Sequence, residues 1–401
     1  MKYSKEEVLQ FVNEEDVKFI RMAFCDIFGK QKNISIMPGE LENAFAYGVP
    51  IDGSAITGFT SQVHSDLFLH PDPSTLSVLP WRPEHGRVVR MFCSITKPDG
   101  SPFGADTRTL LENAVKEAEK AGVKFTFASE MEFYLFRCDE NGDPTKIPYD
   151  NAGYMDIAPM DKGENVRREI CLYLEQMGIY PESSHHEEGP GQNKIDFKCS
   201  DPLHAADAAV TFQSVVNTVS SRNGLVADFS PKPLKDLPGN GMHISFAATK
   251  ADGTEIMPSI LAGILKHIRE ITVFLNTAEE SYARFGQCKA PKYVSWSNEN
   301  RSQLIRIPAT TDGNKRAELR SPDSLCNPYL AYAMIIYAGL DGLQNNLELP
   351  KPKDCNLLEL DEANANGLET LPKSLAEAKA IAKESAFVMD KLSTEIKNSY
   401  I

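Results

Sequence analysis

The chain has 401 residues, which exceeds one ordinary hydrophobic core and predicts two domains or one domain with a large insertion. Hydrophobic residues make up 42% and charged residues 24%, as is typical of a folded, water-soluble protein. A formal net charge of -14 at pH 7 argues against nonspecific nucleic-acid binding, because such binding needs a positive surface.

Membrane insertion is also not expected. The longest nearly apolar run, residues 329–340, is too short to cross a bilayer and is better explained as a buried helix. The polar N-terminus lacks the apolar stretch of a signal peptide. We therefore expect a cytoplasmic protein whose partners are small molecules.

The first hundred residues predict a small mixed domain. Ser4 and Glu7 form a capping-box pattern ahead of a short amphipathic helix. Residues 17–24 and 33–37 predict a hairpin, and residues 87–95 predict a further strand. Residues 50–58 form a loop that presents Asp52 beside a glycine. The loop at 96–103 is the expected boundary between domains 1–100 and 101–401.

A helix from about residue 107, with apolar positions at helical spacing, then leads into a strand at 124–136. Period-two alternation places Glu130 and Glu132 on the face opposite Phe133. Carboxylates at i and i+2 lie about 7 Å apart, a separation that two nearby divalent cations could bridge. Taken alone, the pair is better explained as a solvated strand face.

The same alternation recurs further along the chain. In residues 240–247, His243 lies on the polar side of a predicted strand, and in residues 316–320 Arg316, Glu318 and Arg320 share one face. A solvated antiparallel sheet also alternates, but it favours Lys, Thr and Glu over Arg-Glu-Arg. The acidic run at 185–197, with its Gly-Pro-Gly turn, adds further charged groups, so these strands predict a shared active-site wall.

Arg301 and Arg306 lie just before the last of these strands. Guanidinium groups bind carboxylate and phosphate in bidentate fashion, which suits an anionic, phosphate-bearing substrate. All-oxygen ligands with one imidazole suit Mg²⁺ or Mn²⁺, and zinc fits less well. Neither a P-loop nor a dinucleotide-binding glycine motif is present. The residues therefore leave ATP-dependent ligation and phosphoryl transfer open.

Nearly the whole chain resembles glutamine synthetases. The motifs that carry the resemblance, in chain order, are Asp52-Gly-Ser, Pro71-Asp-Pro-Ser-Thr through Leu79-Pro-Trp, Glu130-Met-Glu-Phe, His185-His-Glu with Gly-Pro-Gly-Gln192, Gly241-Met-His243, Asn300-Arg-Ser, Arg306-Ile-Pro, Glu318-Leu-Arg-Ser-Pro-Asp323 and Asn327-Pro-Tyr-Leu.

The resemblance implies an α+β fold. A beta-grasp domain at 1–100 would precede a catalytic domain at 101–401, built on a curved, largely antiparallel sheet flanked by helices. It also implies a homo-oligomer of hexameric rings, a dodecamer when two rings stack, with active sites between subunits. The loop bearing Asp52 would reach into the next subunit.

The implied reaction uses ATP to phosphorylate the γ-carboxylate of glutamate or an analogue, after which ammonia or another amine displaces phosphate. The resemblance also implies roles for individual residues of this chain. The implied metal ligands for Mg²⁺ or Mn²⁺ are Glu130, His243 and Glu318 for one ion and Glu132 and Glu187 for another. Substrate would contact Arg284, Arg320, Gly239 and Tyr154. Nucleotide would contact Glu182, Arg301, Arg306 and Arg316. The implied catalytic residues are Asp52, Glu187 and Arg301.

Four positions depart from the family pattern: Lys194 replaces a third carboxylate of the second ion, Lys289 replaces the flap glutamate, Ala55 replaces a serine near ammonium, and Ser245 replaces a common histidine or asparagine beyond His243. We expect Lys194 to salt-bridge Glu132 and Glu187, leaving fewer ions per site than usual. Near an effective dielectric of 20, like charges about 4 Å apart repel by about 4 kcal/mol, so Lys289 should disfavour ammonium. Alternatively, both lysines point to solvent and neighbouring acids compensate.

Two functions remain open from the sequence. The first is an ATP-dependent γ-glutamyl ligase, with reduced activity or with another amine. The second is a catalytically silent homologue that binds ligands or regulates a partner. The retained arginines and ligands favour the first, and the two lysines favour the second.

Overall fold

The computed structural model describes residues 3–82, 85–310, 316–360 and 367–401. Its helices are α1 Lys5–Glu14, α2 Leu41–Tyr47, α3 Thr107–Lys120, α4 Glu164–Gln176, α5 Pro202–Arg222, α6 Met257–Leu275, α7 Glu279–Tyr282, α8 Pro328–Gln344, α9 Leu375–Glu384, α10 Ala386–Lys391 and α11 Thr394–Tyr400. Its strands are β1 Val17–Cys25, β2 Gln31–Ile36, β3 Val49–Asp52, β4 Asp66–Pro71, β5 Ser77–Val78, β6 Arg87–Thr96, β7 Val123–Cys138, β8 Pro144–Pro148, β9 Pro181–His186, β10 Gln192–Phe197, β11 Leu225–Asp228, β12 Met242–Lys250, β13 Trp296–Asn298, β14 Ile305–Ile307 and β15 Ala317–Leu319.

The chain divides into two compact units. The first comprises residues 1–110, 171–180 and 393–399, and the second comprises residues 111–170, 181–392 and 400–401. Among the described residues, no helix is long and apolar enough to cross a membrane.

The first unit contains a six-stranded sheet in the order β2-β1-β6-β4-β3, with β5 paired to β6. The predicted hairpin is confirmed, since Ile20 of β1 pairs with Ile36 of β2 in antiparallel register, whereas β1 and β6 run parallel. Its turn is held by Asp26, whose Oδ1 accepts hydrogen bonds from the backbone N–H of Phe28 and Lys30. The predicted opening helix is also confirmed as α1.

The second unit contains a nine-stranded, largely antiparallel sheet in the order β13-β14-β15-β12-β7-β10-β9, with β8 and β11 also paired to β7. The 16-residue β7 lies at its centre because it pairs with four other strands. The predicted α+β class, with a largely antiparallel catalytic sheet, is confirmed. The predicted helical tail is also found, but it breaks at Ser385, whose hydroxyl caps α10.

One face of β7 belongs to the hydrophobic core. Phe125, Phe127 and Phe133 are buried there, and the Phe127 ring stacks on Tyr332 of α8 with centroids 4.6 Å apart. The Tyr332 hydroxyl shares a hydrogen bond with Ser129. Because aromatic packing and a satisfied hydroxyl leave this side chain few alternatives, the other face of β7 is held in a defined position.

Helices α6 and α8 meet at glycines. A methyl group added at Gly263 of α6 would overlap the carbonyl oxygen of Ala338, and one added at Gly342 of α8 would overlap the carbonyl oxygen of Ser259. The absence of side chains at these two positions therefore permits direct contact between the helix backbones.

Gly263→Ala should lower the free energy of unfolding by about 2 kcal/mol, because the added methyl group forces α6 and α8 apart. A decrease in stability would be informative, because replacing glycine by alanine within a helix otherwise stabilises the protein by about 1 kcal/mol. Urea denaturation measures the change. Gly39→Ala is the control, because a methyl group there would meet nothing within 4 Å. Equal stability of the two variants would contradict the close helix contact.

Candidate active site

The strand register places charged side chains of the second unit side by side. Glu130 of β7 lies opposite His243 of β12 and Asp196 of β10, and Glu132 lies opposite Lys194. On the far side of β12, Glu318 of β15 lies opposite Arg306 of β14. The predicted charged wall is therefore assembled from five strands.

A compact cluster of possible metal ligands lies within this wall. Ligand atoms of Glu130, His243 and Glu318 all lie within 4.8 Å of one another. His243 Nδ1 is 3.1 Å from Glu318 Oε1 and 3.5 Å from Glu130 Oε2. Two carboxylates and one imidazole are ligands that Mg²⁺ or Mn²⁺ accepts. We call these three residues the triad, and their chemistry fits one divalent ion.

Arginines surround Glu318. Arg306 Nη1 donates to Glu318 Oε2 at 2.8 Å, and Arg320 Nε donates to Glu318 Oε1 at 3.0 Å. Burial opposes the ionised form of Glu318, but the hydrogen bond with His243 and the charge of Arg320 hold its pKa well below the usual range. Glu318 is therefore a carboxylate at neutral pH.

Opposing effects act on the other two triad members. Burial raises the pKa of Glu130, but the Lys194 ammonium outweighs it and lowers that pKa to about 2. Burial and the charge of Lys194 lower the pKa of His243. Hydrogen bonds with Glu130 and Glu318 outweigh both effects, so the pKa of His243 is raised overall. Glu130 is therefore ionised, and its nearest positive charge belongs to a lysine.

Lys194 is buried, and its pairing differs from the expectation. Its Nζ lies 2.7 Å from Glu130 Oε2 and 3.9 Å from Glu132 Oε1, so the expected ion pair with Glu132 is present but Glu130 is the nearer partner. The charge of Glu187 also acts on the ammonium group. His243 Nδ1 is 3.5 Å away. The side chain leans diagonally across the sheet instead of staying over its register partner, because Glu130 offers the closer carboxylate.

Glu132 and Glu187 form a second acidic pair. Glu132 Oε2 accepts a hydrogen bond from the Gly241 N–H at 2.7 Å, and Glu187 Oε1 is 3.8 Å from His185 Nε2. Burial, followed by the charge of Glu132, raises the pKa of Glu187 to about 7. The Lys194 ammonium lies beside this pair, 3.9 Å from Glu132 Oε1. Its donor set therefore does not fit a second divalent ion well.

The expected substrate-binding arginines are buried. Arg284 Nη1 donates to the Ser321 carbonyl at 3.1 Å and is 3.6 Å from Asp323 Oδ2. A side chain at Gly239 would overlap the Pro231 carbonyl and crowd Arg284, so glycine is required there. Gly239 and Arg284 are thus adjacent, as the resemblance implied.

The loop that carries Lys289 folds tightly. Cys288 and Lys289 both have positive φ, 44° and 65°, a conformation that is unfavourable for residues with a side chain. Arg320 Nη1 donates to the Lys289 carbonyl at 3.0 Å and also donates to the Arg301 carbonyl. Arg320 therefore holds this loop in addition to contacting Glu318.

The Lys289 side chain is half-exposed and forms an ion pair with Glu188. Its Nζ also lies 5.6 Å from the ring centroid of Tyr154, which in turn packs edge-on against His185 at 5.3 Å. A neighbouring acid thus compensates Lys289, as the alternative interpretation expected. Lys194, in contrast, points inward.

A separate cavity of about 1240 Å³ brings together two of the expected nucleotide residues. Arg316 Nη1 and Glu182 Oε2 are 3.0 Å apart, and both line it along with Trp296 and Cys199. The volume is sufficient for a nucleotide. Arg301 and Arg306 are not among its lining residues. Arg306 is engaged with Glu318, and Arg301 is exposed.

Asp52 and Ala55 belong to the first unit. Asp52 Oδ1 accepts hydrogen bonds from the Ser54 N–H at 2.9 Å and the Ser54 hydroxyl at 2.7 Å, and these bonds lower the pKa of Asp52. Its side chain is exposed, and Ala55 ends the short turn that Asp52 caps. The roles expected for these residues remain predictions.

Sequence reasoning missed one buried network behind Glu187. His186 contacts the Glu187 carbonyl through Nδ1 at 2.7 Å and Asp150 Oδ1 through Nε2 at 2.9 Å. Arg167 donates to Asp161 Oδ2 at 2.5 Å and to Asn193 Oδ1 at 2.7 Å. These acids already pair with cations, so the network orients the Glu187 backbone. The double histidine was the available signal, but Asp150 is 36 residues away.

The fold and site together define an α+β enzyme, with a beta-grasp domain ahead of a catalytic sheet that carries a carboxylate–imidazole triad among arginines. Comparisons with known proteins agree. Residues 16–98 match the family described as glutamine synthetase, beta-Grasp domain, and residues 104–401 match glutamine synthetase, catalytic domain.

Individual relatives give the same result over the full chain. A glutamine synthetase of Methanosarcina mazei is 44% identical and is aligned over 99% of this chain and 92% of its own length. A glutamine synthetase of Clostridium saccharobutylicum is 41% identical and is aligned over 100% of this chain and 94% of its own length. The solved GmaS–ADP complex has a TM-score of 0.87 at 26% identity, covering 97% of this chain and 93% of its own. Plasmodium falciparum glutamine synthetase, at 21% identity and a TM-score of 0.86, covers 100% of this chain and 95% of its own and supports the fold alone.

The chain therefore belongs to the glutamine synthetase family. It is an ATP-dependent γ-glutamyl ligase of the glutamate–ammonia ligase type, in a family that uses ATP and a divalent metal.

Glu187→Gln should change the pH dependence of stability in the metal-free protein. The Glu187 pKa rises from 4.5 to about 7 on folding, so the folded state binds more protons in that window and stability falls as pH rises through it. The variant lacks this fall and should gain up to about 3 kcal/mol over wild type between pH 5 and pH 8. Chemical denaturation at both pH values measures it, with Glu119→Gln, at an exposed position of α3, as the control. Parallel curves for wild type and Glu187→Gln would refute the assignment.

Proposed function

We propose that this chain joins the γ-carboxylate of glutamate, or of a close analogue, to ammonia or a small amine. The observation that carries the proposal is the triad of Glu130, His243 and Glu318 flanked by Arg306 and Arg320 on one sheet face. Such a face combines ion-binding groups with donors for carboxylate and phosphate.

The reaction runs in two displacements. A substrate carboxylate oxygen attacks the terminal phosphorus of ATP, which gives an acyl phosphate and ADP. The amine nitrogen then attacks the acyl carbon, and phosphate leaves. Because the first step brings two anions together, positive groups must neutralise them before the oxygen can approach.

Each role falls to particular residues of this chain. Arg284 and Arg320 bind the substrate carboxylates, and Gly239 leaves the space that Arg284 needs. Arg301, Arg306 and Arg316 contact phosphates, with Glu182 beside Arg316 at the nucleotide cavity. Tyr154 and Glu187 flank the amine within one chain, and Asp52 is supplied by a neighbouring copy of the chain. Either carboxylate can take the proton that the amine must lose. The GmaS–ADP complex supports the nucleotide assignment.

We propose one divalent ion per active site, Mg²⁺ or Mn²⁺, held by the triad. When bound, the ion neutralises phosphate charge. Glu132 and Glu187 lack a third carboxylate and have the Lys194 ammonium nearby, which opposes a second ion. A Mn²⁺ stoichiometry of two per chain would contradict this count.

The alternative hypothesis is that the chain is a catalytically silent homologue. The Glu188–Lys289 ion pair argues against it, because Glu188 neutralises the charge that Lys289 brings toward the amine region. We further propose that the chain acts in the cytoplasm as rings of six or twelve copies with active sites between subunits, and that the domain boundary lies near residue 100. Mass photometry showing only monomers would exclude the rings.

A phosphate-release assay with glutamate, ATP and a panel of amines tests the function. Release that requires glutamate and either ammonia or one alkylamine supports the ligase, because attack of the amine on the acyl phosphate expels phosphate. Nucleotide binding without release under all conditions supports the silent homologue. The double variant Lys194→Glu/Lys289→Glu should raise ammonia-dependent turnover at least about tenfold. Lys351→Glu, which makes the same charge change at an exposed position, should leave it unchanged.

Arg316→Gln should raise the KM for ATP by about tenfold, because one charge-assisted phosphate contact contributes about 1.4 kcal/mol or more. The KM for glutamate should stay near wild type. Steady-state kinetics with each substrate varied separately measures both constants. Arg137→Gln, an exposed arginine at the end of β7, is the control. Equal loss for both substrates would place Arg316 outside the nucleotide site.

A further inference from the structure

Lys194 lies against the triad. Its Nζ is 2.7 Å from Glu130 Oε2 and 3.5 Å from His243 Nδ1, so it touches two of the three residues that could hold an ion. His243 Nδ1 faces the same Glu130 oxygen at 3.5 Å. The ammonium group therefore uses ligand atoms that a divalent ion would need.

A second position for the Lys194 ammonium group lies nearby. Glu132 Oε1 is already 3.9 Å from Nζ and is the carboxylate directly opposite Lys194 in the strand register. Glu187 adds its negative charge on the same side, as its electrostatic coupling to both Glu132 and Lys194 indicates. A small rotation of the four-carbon side chain therefore exchanges one buried carboxylate partner for another.

We infer that Lys194 and a divalent ion compete for Glu130, and that the ammonium group moves to Glu132 and Glu187 when the ion binds. Glu130 cannot give the same oxygen to both cations without bringing like charges into contact. After the exchange, the ion neutralises the triad and Lys194 neutralises the second acidic pair. Lys194 then serves as an intrinsic cation in place of a second ion.

The inference rests on the proposed function only for the assignment of the triad as metal ligands. Its consequence is a competition that can be measured without turnover. A residue that competes with the ion must weaken ion binding, and removal of its charge must strengthen it. A lysine with a purely structural role would not produce that effect.

Calorimetric titration with Mn²⁺ tests the competition on the full-length protein. Wild type should bind one ion, and Lys194→Met should bind Mn²⁺ at least tenfold more tightly. Lys194→Arg, which retains the charge, should stay within threefold of wild type. Lys194→Glu should bind two ions, because it places a third carboxylate opposite Glu132. Lys124→Met, an exposed lysine on β7, is the control and should match wild type.

Crystals grown with and without Mn²⁺ test the movement itself. One anomalous peak at the triad, with Nζ nearer Glu132 and Glu187 than Glu130, is the expected result. Two full peaks in wild type, or one peak with Nζ still on Glu130, would overturn the inference. So would Mn²⁺ affinity that does not respond to Lys194→Met, even if the enzyme turns over. No Mn²⁺ binding by any variant would overturn the triad assignment as well.

Discussion

Four buried or nearly buried carboxylates on one face of a sheet impose the main physical constraint on this protein. Glu130 lies close enough to Glu318, and Glu132 to Glu187, for their like charges to repel, and burial opposes the ionised forms of Glu130, Glu187 and Glu318. Buried charges are tolerated only when opposite charges and hydrogen bonds compensate them. The surrounding cations are thus a condition for the carboxylates to remain ionised.

Compensation is unequal along that face. Glu318 has two arginines and an imidazole, and Glu130 has Lys194, so both keep depressed pKa values. Glu187 has less compensating positive charge nearby, and its pKa is raised. Glu187 is therefore the least compensated of these acids, although the Lys194 charge lowers its pKa in part. Charge balance therefore explains why Lys194 points inward.

The two unusual lysines act in different environments. Lys289 is half-exposed and paired with Glu188, so water and a neighbouring acid screen its charge. Lys194 is buried, where an unpaired ammonium would be costly, and it can be accommodated only among acids. Lys289 is therefore screened near the surface, whereas Lys194 pairs directly with Glu130 of the triad.

Much of the architecture follows from local patterns in the sequence. Period-two alternation identifies the polar face of β7 with Glu130 and Glu132, and the ordered motifs identify the family. Both depend only on backbone geometry and residue order. The capping pattern at Ser4 likewise predicts α1, because its contacts lie within one turn.

Tertiary structure alone decided which charges meet. Lys194 pairs diagonally with Glu130 because side-chain reach and competing carboxylates, not register, select its partner. The Glu188–Lys289 pair joins residues 101 positions apart, and the His186–Asp150 contact joins residues 36 apart. Sequence determines which charges the strands carry, whereas burial and distance in the folded sheet determine how they neutralise one another. Electrostatic energy depends on those two quantities, and neither can be read from spacing along the chain.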